Sequence, residues 1–380
     1  MEKPQQHLTK EPAPPSAGTT TPVVDESQQF LKELKPARLI WPILIGVGVL
    51  GYTVYSFMQE GRNPFTEIAW TGWVFGMLGL AFVAMTVRDF GYMWRLRLLT
   101  DNKLSWRNTF QIVLLWEFAS SLTPSVVGGS AVAIFMLMKE KISAGRGTAI
   151  IFMTIFLDEI FYLIILPVVL LVVKQSEIFG PVNDGVEGMF GSGLIVSFWI
   201  AYSVIFIYTV FLAFALFIKP EATSNVVKRL VKTRLLKRWE ESGTKMADEL
   251  LISAKEFRKK NFAYWAKAWM ATMLAWMGRY LSLNIVLAAF TALSFYEHTV
   301  AFARQAVMFV LMIVSPTPGS GGVAEWAFSN LFAEFSPDGF VMILAVVWRL
   351  VSYYPYLLIG IVVFFFWFRR VFGKKARLAA

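Results

Sequence analysis

An all-α polytopic membrane protein is the fold class this sequence predicts, an inverted repeat of two halves with about six full spans and two broken re-entrant helical hairpins, eight membrane segments in all. Three observations carry the prediction. Hydrophobic residues make up 56% of the 380-residue chain against 16% charged, and apolar stretches of about twenty residues recur, the length that crosses a hydrocarbon core. Runs such as LIWPILIGVGVLGYTVYSF (39–57) are apolar on every side rather than alternating, which argues for helices over a β-barrel. Two apolar stretches are interrupted in one style, by Pro and paired Gly: SSLTPSVVGGSAVAIFMLM (120–138) and VSPTPGSGGVAEW (314–326).

The elements follow in order. Residues 1–38, rich in Pro, Thr, Ser and Gln, read as a disordered cytoplasmic tail, and the first apolar run, starting near Leu39, is long enough to stay as a helix rather than be a signal peptide. The first membrane repeat is expected at 39–173, an external loop at 174–193, the second repeat at 194–369 and a basic cytoplasmic tail at 370–380. Full spans are expected at 39–58, 67–90, 148–173, 194–218, 266–292 and 340–368, with Pro355 bending the last.

Basic residues set the orientation. Lys32, Lys35 and Arg38 put the N-terminus in the cytoplasm, and Arg88, Arg95, Arg97, Lys103 and Arg107 mark a return to that side. The stretch 109–138 ends at Lys139, Lys141 and Arg146, again basic, so it must dip in and come back, with its turn at Thr123–Gly129. Glu177, Asp184 and Glu187 make the next loop external, the basic loop 219–265 is cytoplasmic, and segment 300–335 dips from the outer face. Both termini are thereby expected in the cytoplasm of a cell bounded by this inner membrane. Ordinary loops between short helices are the alternative to the two re-entrant turns.

Composition excludes several functions. The chain has no Cys and two His, which removes disulfides and thiolate zinc sites and leaves no metal site expected. The net charge of +10 lies mostly beside membrane segments, so anionic headgroups rather than nucleic acid are the expected partners of the basic loop. That loop reads either as amphipathic helices on headgroups or as a solvated linker. No Ser-His-Asp spacing or Walker glycine loop occurs, so neither enzyme activity nor a cofactor is expected.

Ionisable residues inside apolar segments are the functional pointers, because each costs roughly 2.5–3.5 kcal/mol to insert. They are Asp158, Glu159, Arg279 and Arg349 in spans, and Glu117, Arg304 and Glu325 in the hairpins. Arg279, Arg304 and Arg349 suit a phosphate, whose oxygens match the planar guanidinium fork. Thr123, Pro124, Gly128 and Gly129 of one break and Thr317, Pro318, Gly321 and Gly322 of the other would line a cavity with backbone donors. Asp158, Glu159, Glu117 and Tyr353 would form a polar path, and Glu325 either carries a proton or caps its helix. Pairing of Asp158 or Glu159 with Arg279 or Arg349 for packing alone is the competing reading.

The stretches SSLTPSVVGGSAVAIFMLMKEK (120–141), GRGTAIIFMTIFLDEI (145–160) and SPTPGSGGVAEWAFSNLF (315–332) resemble the lysylphosphatidylglycerol synthase transmembrane-domain, or flippase-like, family over roughly 39–368. This resemblance implies a translocase that moves an anionic, aminoacylated or polyprenyl-phosphate lipid between leaflets. Ser130 to Ala133, and Glu159 after Asp158, depart from the charged patterns often seen in that family and leave the headgroup open. The chain ends at Ala380 without the soluble aminoacyl-transferase domain of bifunctional members, so aminoacylation is not expected of it. A non-transporting, lipid-presenting scaffold subunit for a membrane glycosyltransferase and an ion-coupled solute transporter are the remaining alternatives, and a second copy of the chain or a separate lipid-modifying enzyme are the candidate protein partners.

Overall fold

The computed structural model describes residues 70–123, 125–179, 191–233, 239–313, 315, 317–337 and 339–376, with Gly48, Gly51, Tyr52, Tyr55, Met58 and Gln59. The tail 1–38, most of the predicted span 39–58, Pro124 and the middle of the loop 174–193 lie outside the described residues. What is described is helical, with no strand among those residues. The helices are α1 (Gly72–Leu99), α2 (Trp106–Leu122), α3 (Ser125–Lys139), α4 (Ala144–Val172), α5 (Gly191–Ala213), α6 (Pro220–Val231), α7 (Glu240–Arg258), α8 (Phe262–Phe290), α9 (Phe295–Ile313), α10 (Val323–Phe332), α11 (Val341–Ser352) and α12 (Tyr354–Ala376).

Five stretches are long and apolar enough to cross a membrane: Gly72–Leu99, Ala144–Val172, Phe198–Ile218, Phe262–Phe290 and Val341–Val371. They match the predicted spans beyond the first, with one extension. The span expected to stop at 90 continues to Leu99, because Arg88 and Arg95, read above as surface charges, are 1% and 2% exposed and point into the bundle. The last stretch is broken at Tyr353, one helix ending at Ser352 and the next starting at Tyr354 just before Pro355.

Local chemistry sets the helix ends. The side chains of Ser105 and Asn261 accept from the Asn108 and Tyr264 amides at 3.1 and 3.0 Å, which satisfies donors the first turns of α2 and α8 leave open. After α1 the chain reverses through Asp101 and Asn102, both at positive φ (52° and 57°), the residue types that tolerate that region best after Gly.

The helices of the two hairpins are shorter than the spans. α2 and α3 have 17 and 15 residues, while α9 has 19 and α10 only 10, about 15 Å of rise against a core of about 30 Å. In the first hairpin the break falls at Thr123 and the helix has resumed by Ser125, so Gly128 and Gly129 sit inside α3 and not in the turn. Gly129 is there for contact: a Cβ on it would lie 2.0 Å from the Ser120 Oγ of α2.

α1 and α8 form the closest crossing, antiparallel along their length. The Trp73 indole donates to Ala288 O at one end and the Tyr264 hydroxyl to Leu98 O at the other. A Cβ on Gly91 would meet Ala275 N at 2.7 Å and Ala271 O at 2.8 Å; one on Gly278 would meet Ala84 O at 2.6 Å and Arg88 N at 2.8 Å. Each glycine thus rests on the residues seven and three places before the other. Small residues at such a crossing let backbones touch, which is how helices gain dispersion energy in a membrane.

The described part of the basic loop forms two helices, in keeping with the amphipathic-helix reading. α6 and α7 pair with each other, and α7 packs on the start of α4, where Gly145 N donates to Glu249 at 3.0 Å and a Cβ on Gly145 would fall 2.4 Å from Met246 O. Arg146 pairs with both Asp101, at 2.7 Å, and Glu256, and Lys260 reaches Asp101 at 2.6 Å, so one carboxylate ties the α1–α2 turn to the beginnings of α4 and α8.

Candidate functional site

Two adjoining cavities occupy the middle of the bundle. The larger, about 260 Å³, lies between the end of α2, the 315–320 turn and the α11–α12 break; the smaller, about 230 Å³, lies between α1, α2, α4 and α8. Glu117, Ser120, Tyr162, Trp276, Arg279 and Ile313 line both, so these residues form the wall between them.

Four arginines surround the cavities, and their partners differ. Arg95 donates to both oxygens of Asp158, at 2.5 and 2.9 Å, and to Thr272 at 3.1 Å, while the Trp276 indole donates to the same carboxylate at 2.7 Å. Arg88 lies 2.6 Å from Glu117 and 3.4 Å from Asp89, under the Tyr356 ring, whose hydroxyl donates to Asp89 at 2.8 Å. Arg349 donates through Nε to Glu325 at 2.9 Å and through its other nitrogens to Gly319 O and Ser320 O at 3.2 and 3.3 Å. Arg279 alone of the four has no carboxylate within 3 Å of its guanidinium among the described residues, and its Nε is buried without a hydrogen-bond partner. It stands 3.5 Å from the Glu117 oxygen that Arg88 already holds, beside the Trp276 and Phe309 rings.

The second hairpin turn is built around Arg349. Glu325, third in α10, accepts from Gly322 N at 2.7 Å with one oxygen and from Arg349 with the other, so the cap reading of Glu325 and its ion pair are both present. Gly319, at φ 57°, lies under Tyr353; a Cβ there would be 2.3 Å from its hydroxyl oxygen, and that hydroxyl donates to Ser121 O in the first hairpin. Thr317 donates to Gly321 O at 2.9 Å, and Ser320 to Met312 O at 3.0 Å, closing the turn on itself.

The structure brings half of the sixteen predicted site residues onto these cavities. Glu117, Thr123, Thr317, Arg279, Arg349 and Tyr353 line the larger cavity, and Glu117, Asp158, Glu159 and Arg279 the smaller. In the second break the lining comes from Ser315, Thr317, Gly319 and Ser320 rather than Gly321 and Gly322. Arg304 lies apart from both cavities, 2% exposed, donating to Glu177 O and Leu331 O and pairing with Glu334 at 2.7 Å; it fastens the middle of α9 to the segment after α4 and to the end of α10. Neither Asp158 nor Glu159 pairs with Arg279 or Arg349; Asp158 is taken by Arg95. Among the described residues no group of His, Asp and Glu is placed to hold a metal ion.

Sequence reasoning missed Arg88, Arg95, Trp276 and the serines 120 and 121 as site residues. A signal for the arginines was present: Ala81, Ala84, Arg88, Gly91 and Arg95 recur at steps of three and four, so both share a stripe with the small residues that meet α8.

A bundle of apolar helices with an ion-paired, cavity-bearing interior defines a polytopic integral membrane protein. Residues 39–360 match the family model described as the lysylphosphatidylglycerol synthase TM region, and the chain belongs to that family. It is similar to a UPF0104 membrane protein of Archaeoglobus fulgidus, 24% identical over 332 residues that cover 84% of this chain and 93% of that one. No solved structure matches it.

Proposed function

We propose that the protein is a lipid translocase that passes the phosphate-bearing headgroup of an anionic, aminoacylated or polyprenyl-phosphate lipid through the central cavities, with Arg279 as the phosphate site. One observation carries the reading. Arg279 lines both cavities with its guanidinium donors unclaimed, whereas Arg88, Arg95 and Arg349 each stand within 2.9 Å of a carboxylate. A desolvated guanidinium with open donors in a membrane-embedded cavity suits an oxyanion. Arg349, by contrast, acts as the clasp of the 315–322 turn, and Arg304 has no part in binding.

Alternation between the two leaflets rests on an inverted repeat. The reciprocal Gly91 and Gly278 contacts, and a short-helix hairpin after α1 and another after α8, support a two-fold relation between halves with that crossing at its centre. The assignment counts eight membrane segments, including 39–58, with both termini in the cytoplasm and the chain in the inner membrane. Lipid is the substrate and no chemistry is done on it.

Proteoliposomes carrying phosphatidylglycerol with a fluorescent headgroup test this. Dithionite is expected to bleach the inner-leaflet label rapidly with the native protein and slowly with Arg279→Gln, both proteins eluting as the same folded species. Equal bleaching in the two would remove Arg279 from the path.

A further inference from the structure

Glu159 is the buried carboxyl group that the ion-pair network leaves out. It is 8% exposed on α4 and lines the smaller cavity, and among the described residues it makes no hydrogen bond or ion pair, its Oε2 being buried without a partner. Its neighbour Asp158 is saturated by Arg95 and Trp276 and adds a second negative charge beside it. The titratable and charged groups around its cavity are few. Asp158 and Tyr162 are on its own helix; Tyr92 and Arg95 come from α1, Glu117 from α2 and Arg279 from α8, all around the same cavity. From α5 the Tyr208 hydroxyl lies within electrostatic range. The cations in that set are Arg95, bound to Asp158, and Arg279, 3.5 Å from Glu117.

We propose that Glu159 is a proton-binding site that couples lipid movement to the pH difference across the membrane. The inference rests on the translocase reading. A carboxylate without a counter-charge is the least stable form of this side chain in such surroundings, and a proton is the cation small enough to neutralise it where it lies. Arg279 lines the same cavity, so a phosphate drawn to Arg279 brings negative charge into the space that holds Glu159 and disfavours the ionised acid further. Lipid phosphate and proton therefore bind together, and the proton leaves when the cavity opens to the more alkaline side. No bond other than the O–H of Glu159 forms or breaks.

Two readouts on the reconstituted full chain separate the claims, with Glu159→Gln as the neutral, isosteric variant. Infrared difference spectra at neutral pH, native against variant, are expected to show a protonated carboxyl C=O band, shifted in heavy water, that the variant lacks. Its absence overturns the proposal. In proteoliposomes with a one-unit pH gradient, the steady leaflet distribution of labelled phosphatidylglycerol is expected to shift by up to about tenfold with the native protein, the limit for one proton per lipid, and not at all with the variant. An equal shift in both, or none in the native protein, overturns the coupling. No lipid movement in either protein, with the band present, removes the translocase reading and the coupling with it, leaving a proton site alone.

Discussion

The two hairpins border one cavity but are held in place by different forces. The second is held by charge: Arg349, 4% exposed, reaches Glu325 and two turn carbonyls, and Glu325 in turn caps α10. The first is held near its break by close contact, Gly129 against Ser120 and Gly360 of α12 against Phe118, with an ion pair beside it from Arg88 of α1 to Glu117. Its far end is fastened by Arg370, which donates to Asn108 and Glu140. A broken helix buried among apolar side chains needs some device to replace lost backbone bonds, and these are two solutions to that need. The comparison also separates two kinds of intramembrane arginine. One clasped by a carboxylate within 3 Å maintains the fold; one without such a clasp, facing a cavity, is available to a ligand.

The charged clasp is where a single change is expected to do most damage. Arg349→Met leaves Glu325 buried and unpaired, with an expected loss of about 3–5 kcal/mol, read as lower thermal stability in detergent. Arg349→Met with Glu325→Leu should lose much less than the sum of the single variants, because the stranded charge is gone. Additive losses would show that the pair is not a unit.

Next come the contacts between backbones. Gly91→Ala and Gly278→Ala each drive a methyl into main-chain atoms at 2.6–2.8 Å, expected to cost about 1–3 kcal/mol. The reciprocal crossing further predicts nearly equal costs, and very unequal melting shifts would break the two-fold relation. Gly129→Ala meets only the Ser120 side chain and its Cα, a partner that partly yields, so its cost belongs at the lower end of the same range. Ser120→Ala in that background should recover part of the loss.

Much of this was legible beforehand, for physical reasons that can be named. Helices needing about twenty apolar residues announce themselves by length, which is why the spans near 72–99, 144–172, 198–218, 262–290 and 341–371 were found. The Pro/Gly breaks announced the hairpins, and Glu325 announced the second turn. Partners were harder to read, because ion pairing depends on which helices touch. Arg95 pairs with Asp158 across 63 positions and Arg349 with Glu325 across 24, and nothing local distinguishes such an arginine from Arg279. The charge rule also misled at Arg88 and Arg95, where basic residues near a span's end were counted as loop charge although their stripe faces α8.

The smallest stability effect is expected at the residue proposed to bind phosphate. Arg279→Gln breaks no hydrogen bond and loosens one 3.5 Å ion pair whose acceptor keeps Arg88, so stability should change by less than about 1 kcal/mol.

The most direct test of the central claim, that Arg279 holds lipid phosphate, is native mass spectrometry of lipid carried out of the membrane with the protein. The account predicts phospholipid retained by the native chain, reduced on Arg279→Lys and lost on Arg279→Gln at unchanged melting temperature. Equal retention by the native and Arg279→Gln proteins would contradict it.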